Sequence, residues 1–155
     1  MSDPKREAFL KMVQTHLVDT VPFNRAIGMQ LVSLDEKGCL FTIPYDASLA
    51  GNPDTGVMHG GVLTTFIDAT CGASVLAALK GLRRVATLDL RIDYMRPATP
   101  ERAITCRAHC YRVTKHVAFT RAEAYLDTPD ELVATAAGTF AIFDQPALTP
   151  KEVSR

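Results

Sequence analysis

The chain has 155 residues, of which 47% are hydrophobic and 22% are charged, so we expect a single globular domain over 1–155 and exclude a disordered chain. Seventeen basic and seventeen acidic side chains cancel, which leaves no long-range field to gather nucleic acid or an anionic membrane surface. The N-terminal stretch lacks the apolar core of a signal peptide, so the four cysteines are expected to be free thiols of a cytoplasmic protein.

The N-terminal third predicts a short helix followed by two strands. Apolar residues recur at helical spacing over 4–19 after an Asp–Pro pair, which is a helix-start signal, and Pro22 is expected to end this helix. Residues 29–46 predict two strands around a turn at Glu36–Gly38. Residues 46–57 are rich in turn-forming residues and predict a loop.

The longest run of low charge predicts one long central helix over 60–80, with Gly81 as its expected end. Between Thr55 and Leu79 the one residue with a formal charge is Asp68, so this helix has almost no polar face. An unpaired Asp at the middle of a bilayer is costly, which argues against a membrane span. Its candidate core face carries apolar residues at steps of three, four and one: Val62, Phe66, Ala69, Ala73, Leu76 and Ala77.

Four strand-like segments follow the helix, at 85–95, 103–113, 117–127 and 132–143, with a hairpin turn at Thr128–Glu131 and a tail from Pro146. In the first of them, apolar and charged residues alternate, which predicts a half-buried strand with its apolar face formed by Leu88, Leu90, Ile92 and Tyr94. Consecutive antiparallel strands and one very apolar helix predict an α+β fold in which a curved sheet wraps around the helix.

Asp68 stands out because its helical neighbours are mostly small or hydroxylated. At offsets of three, four and seven it shares one side of the helix with Gly61, Thr64, Thr65, Gly72 and Val75. Such residues allow another backbone or a ligand to come close. The carboxylate therefore has two interpretations: a structural acceptor that caps a loop or backbone amides, or a catalytic group.

The start of the predicted helix offers the second half of a candidate active site. His59, Gly60 and Gly61 precede or open it, and a helix start has free N–H groups at the positive end of its dipole. A carbonyl oxygen that gains negative charge could be stabilised there, and a carboxylate together with such a site suits hydrolysis of an activated acyl group. His59 by itself also fits a purely structural hydrogen-bonding role.

The spacing of these groups predicts an oligomer. Seven residues separate Gly61 from Asp68, which is about 10 Å of helix rise. A hydrogen-bond donor and a general base must each lie about 3 Å from the reacting atoms, so one helix cannot serve both roles at one carbonyl. Two antiparallel copies can, and we therefore expect a two-fold homodimer whose active sites use both chains.

The segment N-P-x-T-G-V-M-H-G-G-V-L-x-x-x-x-D at 52–68 resembles the hotdog-fold acyl-CoA thioesterases of the phenylacetic acid degradation (PaaI-like) type. The likeness continues in T-L-D-L-R-I-D-Y-M-R-P-A at 87–98 and in L-V-A-T-A-A-G-T-F at 132–140, and it extends over about 22–143. The resemblance implies a sheet-wrapped helix, dimers that pair into tetramers, and hydrolysis of acyl-CoA to free acid and coenzyme A. It implies no metal and no cofactor apart from the coenzyme A of the substrate.

The resemblance also assigns roles to individual residues. Asp68 matches the catalytic carboxylate, which acts as general base or as nucleophile, and Gly60 matches the residue whose N–H polarises the thioester carbonyl. His59 matches the histidine that supports this loop, and Thr87 matches a hydroxyl that holds the attacking water. Asn52 resembles a loop Asn that assists at the carbonyl, although it lies seven residues before the His where six are expected. Gly61 and Thr65 are candidates for substrate contact.

Alternatives to hydrolysis remain open: a non-catalytic hotdog dimer that binds acyl groups or a partner protein, and a hotdog dehydratase or hydratase that pairs a His base with an acid across the dimer. Cys71 could be a nucleophile, but no partner His is placed by the sequence. A metal site at Cys106, His109 and Cys110 conflicts with strand geometry. Candidates for coenzyme A phosphate contacts are Arg83, Arg84, Arg96, Arg112 and Lys115, and candidates for the acyl-pocket walls are Phe66 and Met29.

Overall fold

The computed structural model describes residues 4–146, and the tail expected beyond Pro146 lies outside the described residues. Three α-helices and six strands succeed one another over the described residues. They are α1 (Pro4–Gln14), α2 (Pro22–Ala26), β1 (Gln30–Asp35), β2 (Gly38–Ile43), α3 (Gly60–Leu79), β3 (Arg83–Tyr94), β4 (Ile104–Val113), β5 (Val117–Tyr125) and β6 (Leu132–Pro146).

All six strands form one antiparallel sheet in the order β1-β2-β4-β5-β6-β3. Helix α3 contacts each of these strands, so the sheet curves around it. The predicted architecture, an antiparallel sheet wrapped around one long helix, is therefore confirmed. Within the described part of the chain α3 is also the one helix long and apolar enough to cross a membrane, but 61% of its apolar window is buried inside the fold.

Helix α3 ends one residue earlier than expected. Its C-cap is Lys80, which takes a left-handed conformation with φ 52°, and the Gly81 N–H bonds back to the Leu76 carbonyl. The predicted stop at Gly81 is thus corrected: the turn is closed by a non-glycine residue in the left-handed region. Lys80 also pairs with Glu36 at 2.8 Å, which ties this end of α3 to the β1–β2 turn.

The core face of α3 is wider than its apolar periodicity indicates. Every residue from 70 to 77 is buried, including Gly72 and Val75 on the side of Asp68. Ala69, expected in the core, is half-buried and lies next to Asp68 at a surface cavity. The reason is that the curved sheet encloses the C-terminal half of the helix and leaves one side of the N-terminal half open.

The N-terminal segment also differs from expectation. α1 ends at Gln14 and passes into a π-helical turn, Thr15–Asp19. Pro22 does not end this segment but occupies the first turn of α2, where a missing N–H is tolerated. The expected hairpin turn at Thr128–Glu131 is present, with a Glu131 N–H to Thr128 carbonyl bond of 2.9 Å.

Strand β3 lies at the edge of the sheet, and its alternation is interrupted. Its register against β6 shifts between Thr87 and Asp89, so Leu88 is an additional residue that bulges out. Leu88 is 61% exposed, whereas Leu90 and Ile92 are half-buried against the core. The expected apolar face is therefore corrected: Leu88 does not belong to it, whereas Leu90 and Ile92 do. The bulge reverses which residues face α3, and both Thr87 before it and Tyr94 after it contact that helix.

Candidate active site

His59 caps the start of α3. Its backbone is extended, and its Nδ1 atom accepts a hydrogen bond of 2.9 Å from the Gly61 N–H. The neighbouring loop holds the residue in place, since the His59 N–H bonds to the Leu49 carbonyl and a side chain at Gly51 would lie 2.9 Å from the His59 Cα. The ring thus makes the structural hydrogen bond considered from the sequence, because its Nδ1 atom caps the first turn of α3.

Gly60 is the open position of this helix start. Its N–H donates to no other group within residues 4–146, and a Cβ placed on it would meet nothing within 4 Å. Gly61 differs, because its N–H is engaged by His59 and a Cβ there would lie 2.9 Å from the imidazole Nδ1. Of the two glycines, Gly60 is therefore the one whose amide is available to a ligand oxygen.

Asp68 lies two turns further along α3 and is half-exposed. Its Oδ1 atom accepts a hydrogen bond of 2.8 Å from the Thr87 hydroxyl of β3. Among the described residues its partner is thus a side-chain hydroxyl and not the backbone amides of a neighbouring loop, as the structural interpretation would require. The structure brings together two residues, 19 positions apart, that the sequence analysis placed in one site.

A cavity of about 290 Å³ opens beside this pair. Leu17 and Val21 from the N-terminal segment, Val85 from β3 and Phe140 from β6 supply apolar walls. Thr65, expected to contact substrate, is half-buried in the same lining. A carboxylate that opens into a largely apolar cavity suits a substrate with a reactive polar group and an apolar chain.

The N-terminal wall of this cavity was missed from the sequence. Asn24, 6% exposed, donates from its Nδ2 to the Leu17 carbonyl at 2.6 Å and fixes this segment against the site. Phe66 and Met29, the expected wall residues, instead lie in the core with exposures of 0% and 2%. Their apolar character does not distinguish a pocket wall from a core position, and only the packing of the curved sheet decides between the two.

Tyr94 is a second residue that the sequence analysis did not assign to the site. Its hydroxyl donates to the Gly60 carbonyl at 3.2 Å and lies 2.7 Å from the Thr64 Oγ1 atom. In a regular strand Thr87 and Tyr94, seven residues apart, would face opposite ways. The bulge at Leu88 brings both onto α3, and no local sequence signal announced that bulge.

Asn52 forms its own local turn. Its Oδ1 accepts the Asp54 N–H at 2.9 Å, and its carbonyl accepts the Gly56 N–H at 2.9 Å. The side chain is exposed, and its assistance at a substrate carbonyl remains a prediction.

Among the basic residues considered for phosphate contacts, Arg83 is paired with Asp144 at 2.9 Å and Arg84 lies over the Phe143 ring.

Cys71 is not placed to act as a nucleophile. The thiol is fully buried, and desolvation raises its pKa to about 11, which leaves little thiolate at neutral pH. Cys71 is therefore a small buried residue of the helix core. The dehydratase alternative is also less favoured. It needs a His base, and His59 uses its Nδ1 atom to cap α3.

A larger surface groove of about 750 Å³ lies between α1 and the β1–β2 turn, lined by apolar residues such as Phe9, Met12 and Leu34. The carboxylates in its described lining are Asp35 and Glu36, and neither of them bonds to a side-chain hydroxyl in that part of the chain. The smaller cavity at Asp68 combines both a candidate base and apolar walls, so the chemistry assigns the site there.

Comparison with known proteins identifies the family of the chain. Residues 55–133 match the family described as the thioesterase superfamily. The medium/long-chain acyl-CoA thioesterase YigI of Escherichia coli K12 is 29% identical over 150 residues, covering 88% of this chain and 95% of that protein. A crystal structure from Pseudomonas aeruginosa is 40% identical, covers 85% of this chain and 97% of its own, and superposes with a TM-score of 0.77.

The PaaI protein of Escherichia coli superposes with a TM-score of 0.78 at 17% identity, over 94% of this chain and 99% of its own, and this likeness concerns the fold alone. Together with the family match, it confirms the resemblance inferred from the HGG…D segment. The prediction of a thioester hydrolase is confirmed by the family match and by the named thioesterase relatives.

Proposed function

Because the chain belongs to the thioesterase superfamily, we propose that it hydrolyses acyl-CoA thioesters to a free acid and coenzyme A. The observation that carries the proposal is the 2.8 Å hydrogen bond between Thr87 and Asp68 at the mouth of an apolar cavity. That a relative is named a medium/long-chain acyl-CoA thioesterase supports the substrate class. The substrate's own coenzyme A is the only cofactor this chemistry uses, and a cytoplasmic location is part of the proposal.

The carboxylate of Asp68 starts the reaction. Acting as a general base, it removes a proton from a water that attacks the thioester carbon; acting as a nucleophile, its oxygen attacks that carbon and water then cleaves the anhydride. In either course the C–S bond breaks and coenzyme A leaves as its thiolate, which then takes up a proton. The Thr87 hydroxyl, held on the carboxylate, orients the attacking group.

The Gly60 N–H stabilises the negative charge that develops on the carbonyl oxygen. It is free, it lies at the positive end of α3, and a substrate oxygen can reach it without meeting a side chain. Loss of one such donor reduces turnover in other enzymes by about 10²–10³-fold. His59 keeps the helix start in shape by accepting the next amide.

The two groups of one active site come from two chains in this proposal. Gly60 and Asp68 are eight residues apart on one rigid helix, which separates them by about 12 Å along its axis. Strand β3 is an unpaired sheet edge with Leu88 exposed, and such an edge readily pairs with a second copy. A two-fold dimer through β3 would set the Gly60 end of one helix near Asp68 of its partner. Pairing of two such dimers into a tetramer extends the same proposal.

Thiol release from a panel of acyl-CoA substrates tests the reaction. Asp68→Asn keeps the shape of the side chain and the Thr87 contact but removes the base, so we expect turnover to fall by about 10²–10⁴-fold with unchanged folding. Asp130→Asn, the same change at an exposed hairpin position, is the control and should leave turnover unchanged. Full activity in Asp68→Asn would overturn the catalytic assignment, and a wild-type protein silent on every thioester would favour the binding alternative.

Mixed dimers test the sharing of the site. Gly60→Pro removes one N–H at a helix position where proline is tolerated, and the extended backbone of His59 suits a following proline. Neither Gly60→Pro nor Asp68→Asn should be active alone. Co-expressed, half of the dimers are mixed and half of their sites combine two intact groups, so about one quarter of wild-type activity should return. No recovery would place both groups of a site in one chain.

A further inference from the structure

Two consecutive glycines form the start of α3, and glycine is the residue with the greatest backbone freedom. The Gly60 N–H can stabilise a developing charge only if it is held within about 0.5 Å of its working position. Since neither glycine has a side chain, the groups that hold them must come from other residues. What those groups do for the Gly60 N–H rests on the proposed function.

Three side chains hold the peptide group that joins Gly60 to Gly61. At one end His59 accepts the Gly61 N–H at 2.9 Å. At the other end the Gly60 carbonyl receives the Thr64 hydroxyl at 3.0 Å and the Tyr94 hydroxyl at 3.2 Å. The two hydroxyl oxygens also lie 2.7 Å from each other. Each hydroxyl has one proton, so the two protons are shared among these three contacts, which link strand β3 to the helix start.

The contact from Tyr94 is the informative one. A Thr hydroxyl bonding to the carbonyl four residues earlier is common in helices and by itself indicates nothing about function. Tyr94, in contrast, comes from the last position of β3 and reaches the helix only because the bulge at Leu88 reverses the facing of the strand. The same bulge leaves Thr87 on Asp68, so one irregularity aligns a hydroxyl with each of the two candidate catalytic groups.

We propose that Tyr94 and Thr64 are positioning residues that fix the Gly60–Gly61 peptide and thereby aim the Gly60 N–H at the substrate carbonyl. Neither touches the reacting atoms. Their hydroxyls take up the freedom of the glycine pair, which had to stay without side chains so that a ligand can approach. Removing the Tyr94 hydroxyl should lower the rate of the chemical step and leave substrate binding almost unchanged, because the walls of the acyl cavity are elsewhere.

The test compares two Tyr→Phe changes that differ only in the hydrogen bond lost. Tyr94 and Tyr111 are 52% and 53% exposed, but the Tyr111 hydroxyl makes no hydrogen bond within the described ranges. We expect Tyr94→Phe to lower kcat about tenfold with KM within about twofold, and Tyr111→Phe to change neither. Thr64→Val should behave like Tyr94→Phe, whereas Thr64→Ser, which keeps the hydroxyl, should restore the rate.

An independent readout is the amide NMR signals of Gly60 and Gly61, which should shift and broaden in Tyr94→Phe but not in Tyr111→Phe. If Tyr94→Phe keeps the wild-type kcat, or if both glycine signals stay unchanged, the positioning role is overturned. The proposed function fails separately: it falls if wild type and Asp68→Asn release thiol equally, whatever Tyr94 does. The NMR comparison needs no turnover, so it decides the contacts of Tyr94 in that case too.

Discussion

The two halves of α3 belong to one apolar helix, but their polar side chains differ in burial and in the contacts they make outside the helix. In the C-terminal half, Thr70 and Ser74 are buried and return their hydroxyls to the helix's own carbonyls, at 2.7 Å each. In the N-terminal half, Thr64 also bonds to the Gly60 carbonyl, but Thr64 and Asp68 both face outward and contact hydroxyls of strand β3. Polar side chains are thus bonded within the helix where the sheet encloses it. Where the sheet leaves the helix open, they lie at the surface and contact a neighbouring strand.

This contrast explains why one carboxylate is tolerated in so apolar a segment. An unpaired charge inside a protein is strongly unfavourable, and Asp68 avoids that because its position is half-exposed and carries a hydroxyl partner. Two turns later, on the same side of the helix, Val75 has an exposure of 0%. Transferring a feature from one half to the other, or disturbing one half, should therefore change stability, turnover or thiol reactivity in a way that depends on the half.

The largest effect should come from placing the carboxylate in the enclosed half. Val75→Asp buries a charge among apolar neighbours, and we expect a loss of more than about 4 kcal/mol in the free energy of unfolding. Ala78→Asp, at an exposed position of the same helix, should lose no more than about 1 kcal/mol because it meets only the helix dipole. Urea unfolding of both variants measures this, and equal stabilities would show that enclosure is not what separates the halves.

The next largest effect is a loss of turnover at unchanged stability. Gly60→Pro deletes the free N–H of the open half, and turnover should fall by about 10²–10³-fold while the unfolding midpoint stays at or above the wild-type value. Gly60→Ala keeps the N–H and meets no neighbouring protein atom, so although its methyl group narrows the approach of the substrate it should lose less activity than Gly60→Pro. Comparable turnover in the two variants would mean that the amide is not the group that stabilises the carbonyl oxygen.

Some features of this molecule could be predicted from the sequence and others could not. The low charge of 56–79 and its apolar residues at helical spacing predicted α3, and alternating segments predicted the strands of the sheet. The HGG and Asp68 spacing, with the resemblance, selected the candidate site, and the roles of its residues stay predictions. These signals are local, because each depends on residues within one helix or strand.

The features that were missed depend on contacts between distant segments. The bulge at Leu88 arises from the register of β3 against β6, so nothing within 85–95 predicted that Tyr94 would reach Gly60. The cavity wall at Leu17 and Val21 likewise depends on how the N-terminal segment packs over α3. Periodicity could not distinguish Phe66 as a core residue from a pocket wall, since both positions require an apolar side chain.

A smaller loss of stability should follow from disturbing the cap of the open half. In Gly61→Ala the new methyl group would lie 2.9 Å from the His59 Nδ1, so the imidazole must move and the cap bond weakens. We expect a loss of about 1 kcal/mol, the typical contribution of a helix N-cap. Gly81→Ala, beyond the other end of the helix, meets no atom within 4 Å and should be neutral. Thermal unfolding that ranks the two variants equally would contradict the role of His59 as the cap.

The smallest effect is a difference in thiol reactivity that reports how firmly the enclosed half is closed. Cys71 is buried with its pKa raised to about 11 by desolvation, whereas Cys110 is half-buried near the end of β4. At pH 8 a small alkylating reagent should therefore modify Cys110 first, and Cys71 should react only at the rate of global unfolding, because its thiol is both inaccessible and protonated. Mass spectrometry of the labelled peptides follows each site separately. Rapid labelling of Cys71 in the native protein would mean that the C-terminal half of α3 opens locally. The C-terminal half would then be only somewhat less accessible to solvent than the N-terminal half, and not closed to it.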